Sequence, residues 1–123
     1  MRKAKILVVD DEVEFASALA ERLQLRGYDT KAVFRGEDTL AIAKSAPPDI
    51  ILLDLKMPGM NGIEVLMTIR QFAPDIEVIL LTGHIDLRER IEGMRIDDFN
   101  YIMKPVDMAE LLEKIEKAME KHR

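Results

Sequence analysis

Apolar residues in this chain fall into short unbroken runs, and between those runs they recur at helical spacing. Ile6-Leu7-Val8-Val9, Ile50-Ile51-Leu52-Leu53, Val78-Ile79-Leu80-Leu81 and Tyr101-Ile102-Met103 have the length and continuity of strands buried on both faces, as in a parallel sheet. Thr30-Lys31-Ala32-Val33-Phe34 supplies a further strand. After the first run, Ala16, Leu19, Ala20 and Leu23 follow the i, i+3, i+4, i+7 pattern of a helix with one buried face, and Gly27 offers its left-handed C-terminal cap. A second helix is predicted from about Glu37 to Ser45, with Leu40 and Ala43 inward and Pro47-Pro48 preventing its continuation. Capping-box spacings at Asn61/Glu64, Asp86/Glu89 and Asp107/Glu110 mark the starts of three more helices. Ile63, Leu66 and Met67 give the inner face of the third, and Met108, Leu111, Leu112, Ile115 and Met119 form one stripe on the last.

A β-α alternation repeated about five times implies a parallel sheet with helices on both faces, a (βα)5 three-layer sandwich. Right-handed crossovers leave few topologies, and the flavodoxin-like strand order 2-1-3-4-5 is favoured. Its switch point lies between the first and third strands, where Asp10, Asp11 and Asp54 become neighbours.

Length and composition narrow the picture. At 123 residues the chain is read as one domain, 1–123. A formal net charge of -5, from 18 basic and 23 acidic residues, argues against a direct nucleic-acid footprint or a polybasic membrane signal, and points to protein partners. The lack of Cys removes disulfides, thiolate metal sites and cysteine nucleophiles, and fits a reducing compartment. The basic start at Arg2, Lys3 and Lys5 precedes an apolar run broken by Asp10-Asp11-Glu12, so it reads as a first strand rather than a signal peptide. No apolar stretch approaches the ~20 residues that span a bilayer, and a cytoplasmic protein is expected.

Four of the runs end in chemically useful residues: Asp10-Asp11-Glu12, Asp54, Thr82 and Lys104-Pro105. Carboxylates gathered within ~5 Å repel one another by about 3 kcal/mol per pair at an effective dielectric of ~20, so they need a cation or a proton to coexist. With oxygen ligands and no His or Cys cluster, the expected ion is Mg²⁺. Asp10-Asp11 by itself reads equally well as a loop or N-cap acid pair. A carboxylate ending a buried strand has fewer structural uses, and Asp54 is the candidate nucleophile toward a phosphoryl group. Lys104 supplies a positive charge for the phosphoryl oxygens and Thr82 a hydroxyl donor. Met57-Pro58-Gly59-Met60-Asn61-Gly62 lacks the spacing and the Lys of a phosphate-binding loop and reads as a turn leading into the third helix.

Taken together, D-D-E after the first strand, D-L-K-M-P-G-M-N-G after the third, L-T-G-H after the fourth and Y-I-M-K-P after the fifth resemble the receiver domain of bacterial two-component response regulators, over essentially the whole chain. The resemblance implies that Asp54 accepts a phosphoryl group from a phosphohistidine on a sensor histidine kinase or histidine phosphotransfer protein. It implies Mg²⁺ ligation by Asp11, Asp54 and the backbone carbonyl of Lys56, with Asp10 acting through water, and phosphoryl contacts from Thr82 and Lys104. Tyr101 becomes the switch aromatic, coupled to Thr82 and altering the surface of the fourth helix, fifth strand and fifth helix for an unknown output partner. The Lys104-Pro105 bond is expected to be cis. Such a protein is a phosphoacceptor switch rather than an enzyme, limited to self-phosphorylation and slow autodephosphorylation, and is either a stand-alone receiver or part of a longer regulator or hybrid kinase.

Lys56 and His84, each two residues beyond a site residue, are expected to tune the lifetime of the acyl phosphate. The chain departs from the resemblance at Asp97-Asp98, where Gly-Ala is common, and at Ile85, where a small or polar residue is usual. Two rival readings are an aspartyl-phosphate phosphatase of the haloacid-dehalogenase class, whose second Asp two residues after the nucleophile is missing here, and a phosphorylation-independent binding module.

Overall fold

A computed structural model describes residues 4–55, 62–83, 90–91, 94–95 and 100–121. Its elements are β1 (Lys5–Val9), α1 (Val13–Leu25), β2 (Asp29–Val33), α2 (Gly36–Ser45), β3 (Ile50–Asp54), α3 (Gly62–Phe72), β4 (Glu77–Thr82), β5 (Arg90–Ile91), β6 (Met94–Arg95), β7 (Tyr101–Met103) and α4 (Met108–Glu120). Five strands form one sheet in the order β2-β1-β3-β4-β7, every pairing parallel. This is the 2-1-3-4-5 order expected from the sequence, with β7 as the fifth strand.

The central strands β1, β3 and β4 are apolar over most of their length because the sheet is covered on both faces, while β2 at the edge mixes exposed and buried positions. Ile6 and Val8 of β1 point to the side of α1 and α4, where Ala16, Leu19, Leu23, Leu111 and Ile115 complete a buried cluster. Leu7 and Val9 point the other way, into a cluster with Val65, Leu66 and Ile69 of α3, against which Leu40 and Ile42 of α2 pack. Alternation along one strand thus builds both outer layers.

Helix ends follow local chemistry. The four inward residues expected of α1 are all buried. The helix closes in a Schellman arrangement: Tyr28 N–H donates to the Leu23 carbonyl, Gly27 N–H donates to the Gln24 carbonyl, and Gly27 sits at φ 91°. Asp107 caps α4, accepting from the N–H groups of Ala109 and Glu110. In α2 the buried residues are Gly36, Thr39 and Ala43, while Leu40 is half-buried. Thr39 is admitted because its hydroxyl donates to the Arg35 carbonyl one turn back.

One element departs from expectation. Where the Asp86/Glu89 spacing predicts a fourth helix, Arg90–Ile91 and Met94–Arg95 pair antiparallel, Arg90 opposite Arg95 and Ile91 opposite Met94. The residues between them are Glu92 and Gly93. A glycine in a helix interior costs about 1 kcal/mol, so the sequence around Gly93 supports a continuing helix only weakly, and Arg90–Ile91 and Met94–Arg95 pair as strands instead. Among the described residues the parallel sheet has five strands, with four helices and a short antiparallel pair, β5-β6, between β4 and β7. Asn61, Asp86 and Glu89 themselves, with Lys56, His84, Ile85, Asp97 and Asp98, lie outside the described residues.

Candidate functional site

Strand register brings the site together. Val9 stands opposite Leu53, so Asp10, one residue beyond β1, lies beside Asp54 at the end of β3. Asp54 pairs with Leu81, which places Thr82 one step further along β4, and Thr82 pairs with Met103, which places Lys104 just beyond β7. Two backbone bonds hold these ends in line: Asp10 N–H donates to the Val33 carbonyl, and Lys104 N–H donates to the Thr82 carbonyl. Asp10, Asp54 and Thr82 are buried, while Asp11 is partly open.

One carboxylate oxygen from each of Asp10, Asp11 and Asp54 lies within 4.8 Å of the other two. Three carboxylates this close repel by several kcal/mol, and among the described residues Lys104 brings a cation to them. Lys104 Nζ donates to Asp10 Oδ2 at 2.6 Å and to Glu12 Oε1 at 3.2 Å, and it lies 3.8 Å from Asp54 Oδ2. The other Asp10 oxygen accepts from the Glu12 N–H at 3.0 Å. Burial alone pulls the Lys104 ammonium below its usual range. The hydrogen bond to Asp10, the charges of Asp54 and Asp10 and the hydrogen bond to Glu12 more than offset this, and the net shift is upward. Lys104 is therefore firmly charged at neutral pH. Its ammonium also lies over the Phe15 ring, 4.5 Å from the centroid.

The donor set fits a hard divalent ion. Octahedral Mg²⁺ places its ligands at about 2.1 Å, so its oxygens stand roughly 3 Å apart when adjacent and roughly 4 Å apart when opposite. Side-chain oxygens within 4.8 Å need only a small contraction or a shared water to meet that geometry. The electrostatics agree, since among the described residues Asp10, Asp11, Glu12 and Asp54 outnumber the Lys104 ammonium.

On the other side of Asp54 the wall is backbone. Gly62 N–H donates to the Leu55 carbonyl at 3.0 Å. A Cβ on Gly62 would overlap the Asp54 carbonyl oxygen and lie 2.6 Å from the Leu55 α carbon, so α3 can start here only with glycine. Gly83, next to Thr82, has open space where a Cβ would be. A groove of about 490 Å³ adjoins the Lys104 side, walled by Phe15, Leu19, Pro105, Val106 and Met108.

Asp10, Asp11, Asp54, Thr82 and Lys104 thus meet at one end of the sheet, as their strand-end positions in the sequence implied. Tyr101 is half-buried on β7, opposite Leu80 and packed against the α3-side core. The Lys104-Pro105 peptide bond is cis. Phe15 and Gly62 are not singled out as site residues by the sequence, and Glu12 is read there only as part of the acidic run that ends the first strand. For Glu12 and Gly62 the signal was present, since each belongs to a motif already noted.

Comparison with known proteins agrees with this geometry. The family model for the response regulator receiver domain matches residues 6–116. A probable transcriptional regulator, ycf27 of Porphyridium aerugineum, is 39% identical over 111 residues, which cover 90% of this chain and 46% of that protein. The chain spans about half or less of the length of such curated relatives. Among solved structures, the response regulator protein TrrA of Thermotoga maritima in complex with Mg(2+)-BeF has a TM-score of 0.81 at 35% identity, with 94% of this chain and 98% of that one covered. TrrA in complex with the histidine kinase ThkA gives 0.79 at 35% identity, covering 94% and 97%.

Proposed function

This chain belongs to the response regulator receiver domains, the phosphoacceptor switches of two-component signalling, and on that premise we propose that Asp54 is the residue phosphorylated. The observation that carries the proposal is the meeting of Asp10, Asp11 and Asp54 oxygens within 4.8 Å, with an ammonium 3.8 Å from Asp54. An Asp54 carboxylate oxygen attacks the phosphorus of a phosphohistidine. The new O–P bond makes an acyl phosphate, the P–N bond breaks, and its electron pair stays on the imidazole.

Asp11, Asp54 and the Lys56 backbone carbonyl would hold Mg²⁺, with Asp10 acting through a water. When bound, the ion neutralises negative charge gathering on the phosphoryl oxygens. Lys104 carries a second positive charge to those oxygens, and the Thr82 hydroxyl donates to one of them. Burial of Asp10, Asp54 and Thr82 keeps bulk water from screening these contacts.

The phosphodonor is a sensor histidine kinase or a histidine phosphotransfer protein, as the pairing of TrrA with ThkA suggests for a relative of similar length. Movement of Thr82 toward the phosphoryl group lets Tyr101 turn, which shifts the population of the surface around β7 and α4 that an output partner reads. Residues 1–123 act as one receiver domain in the cytoplasm. Its own chemistry is confined to self-phosphorylation and slow hydrolysis, with Lys56 and His84 tuning the lifetime. No helix among the described residues is long and apolar enough to cross a membrane.

Incubation with acetyl phosphate, with and without Mg²⁺, and measurement of intact mass tests this reading. A Mg²⁺-dependent gain of one phosphoryl group in the wild type and none in Asp54→Asn is expected. No gain from either acetyl phosphate or a phosphohistidine donor would overturn it.

A further inference from the structure

Lys104 has a longer list of partners than phosphoryl transfer requires, and most of them lie on one side. Its two hydrogen-bonded acceptors, Asp10 at 2.6 Å and Glu12 at 3.2 Å, come from the segment between β1 and α1. The Phe15 ring comes from the first turn of α1, three residues after Glu12, the spacing at which two side chains share a helix face. Asp54, which is to carry the phosphoryl group, is the most distant of the three carboxylates at 3.8 Å, beyond hydrogen-bonding range.

We propose that Glu12 and Phe15 are positioning residues that keep the Lys104 ammonium in a resting seat on the α1 side, so that its release from this seat limits how readily Asp54 is phosphorylated. The inference rests on Asp54 being the phosphoacceptor. Asp10 has its own task in that reading. When its carboxylate turns to a divalent ion, Glu12 and the ring are what still hold Lys104 away from Asp54.

Glu12 has little to do for the fold. Its side chain is 66% exposed, and an ion pair that open contributes little to stability. It does bias where a mobile ammonium rests. Phe15 is half-buried and also packs against the α1-side core. Its packing and its cation-π contact are separable: leucine keeps the bulk and loses the aromatic face, while tyrosine keeps both.

The test is the rate of phosphorylation by acetyl phosphate at saturating Mg²⁺, read by intact mass, for Glu12→Gln, Phe15→Leu and Phe15→Tyr. Each substitution is made both in the wild type and in a Lys104→Ala chain. In the wild-type background Glu12→Gln is expected to raise the rate about threefold and Phe15→Leu about twofold, the scale of one weak ion pair and one weak cation-π contact. Phe15→Tyr should match wild type. In the Lys104→Ala background, which reacts more slowly, Glu12→Gln and Phe15→Leu should change nothing further, because the residue they act through is gone. A wild type that is phosphorylated while Glu12→Gln and Phe15→Leu leave its rate unchanged would overturn the inference and leave the role of Asp54 standing. Equal effects in the two backgrounds would also overturn it, because Glu12 would then act through its field rather than through Lys104. A wild type that takes no phosphoryl group from any donor would overturn both.

Discussion

On the α1 side of Asp54 the site wall is made of side chains: Lys104 held by Asp10, Glu12 and the face of Phe15. On the α3 side it is backbone, with Gly62 seated against the Asp54 carbonyl and its N–H donating to Leu55. The first wall is adjustable, because an ammonium on four methylenes can exchange one carboxylate for another at low cost. The second is fixed, because a main-chain contact at van der Waals limit has no rotamer with which to yield. A phosphoacceptor needs both: a carboxylate whose position does not wander, and a cation that can follow the charge placed on it.

The largest expected effect probes the rigid wall. In Gly62→Ala the added methyl overlaps the Asp54 carbonyl oxygen, so the start of α3 or the end of β3 must move. We expect a loss of about 3 kcal/mol in urea unfolding and a fall in Tm of roughly 10 °C. If Gly62→Ala unfolds like the wild type, the backbone wall is soft and the contrast fails.

The adjustable wall should answer to ions rather than to shape. Lys104→Ala leaves the fully buried Asp10 without its cation, while the Glu12 N–H remains on its second oxygen. A loss of about 2 kcal/mol is expected in EDTA. Mg²⁺ should recover at least half of it, since the ion takes over the neutralisation that Lys104 supplied. A deficit of the same size with and without Mg²⁺ would show that Lys104 holds the wall by packing and not by charge.

These walls differ in how visible they were before the structure. Strand ends could be read because a run apolar on both faces that stops at a carboxylate has few meanings, and the parallel order then brings Asp10 to Asp54 by register alone. The Lys104 seat was hidden because Glu12 and Phe15 act on it from 92 and 89 positions away, through distances no periodicity encodes. Gly62 was read as part of a turn, yet its need is for closeness to Asp54 rather than for a left-handed backbone. The Asp86/Glu89 signal for a fourth helix lies outside the described residues, while the strand pairing of Arg90–Ile91 with Met94–Arg95 runs against a helix continuing through them, and Gly93 and β-branched Ile91 are weak helix formers.

A tie on the α1-α4 side of the sheet gives the scale of an ordinary contact against which both walls can be judged. The buried Tyr28 hydroxyl donates to Glu116 of α4 at 2.7 Å. Burial, then the hydrogen bond and the charge of Glu116, push the phenol up to about 12 from 10.0. A phenol whose folded value is raised stabilises the fold fully below the unfolded value and loses that contribution as pH rises through the folded one. Tyr28→Phe should therefore cost about 1 kcal/mol at pH 7. The gap from wild type should hold to about pH 10 and close toward about pH 12. A gap that persists undiminished at the alkaline end would mean the hydroxyl matters through packing alone.

The smallest effect on stability is expected beside Thr82, and it separates the fold from the chemistry. A Cβ at Gly83 meets no atom within 4 Å, and the residue is exposed. Gly83→Ala should change unfolding by less than about 0.5 kcal/mol, in contrast to the same substitution at Gly62. That open space also lies next to the hydroxyl that is to meet the phosphoryl group, so a methyl there narrows the approach of a donor without moving the site. Phosphorylation by acetyl phosphate should slow by about twofold while the melting curve stays in place. If the rate is also unchanged, the space beside Thr82 is not the donor's route, and the approach must run over the α1 wall, where Lys104 waits.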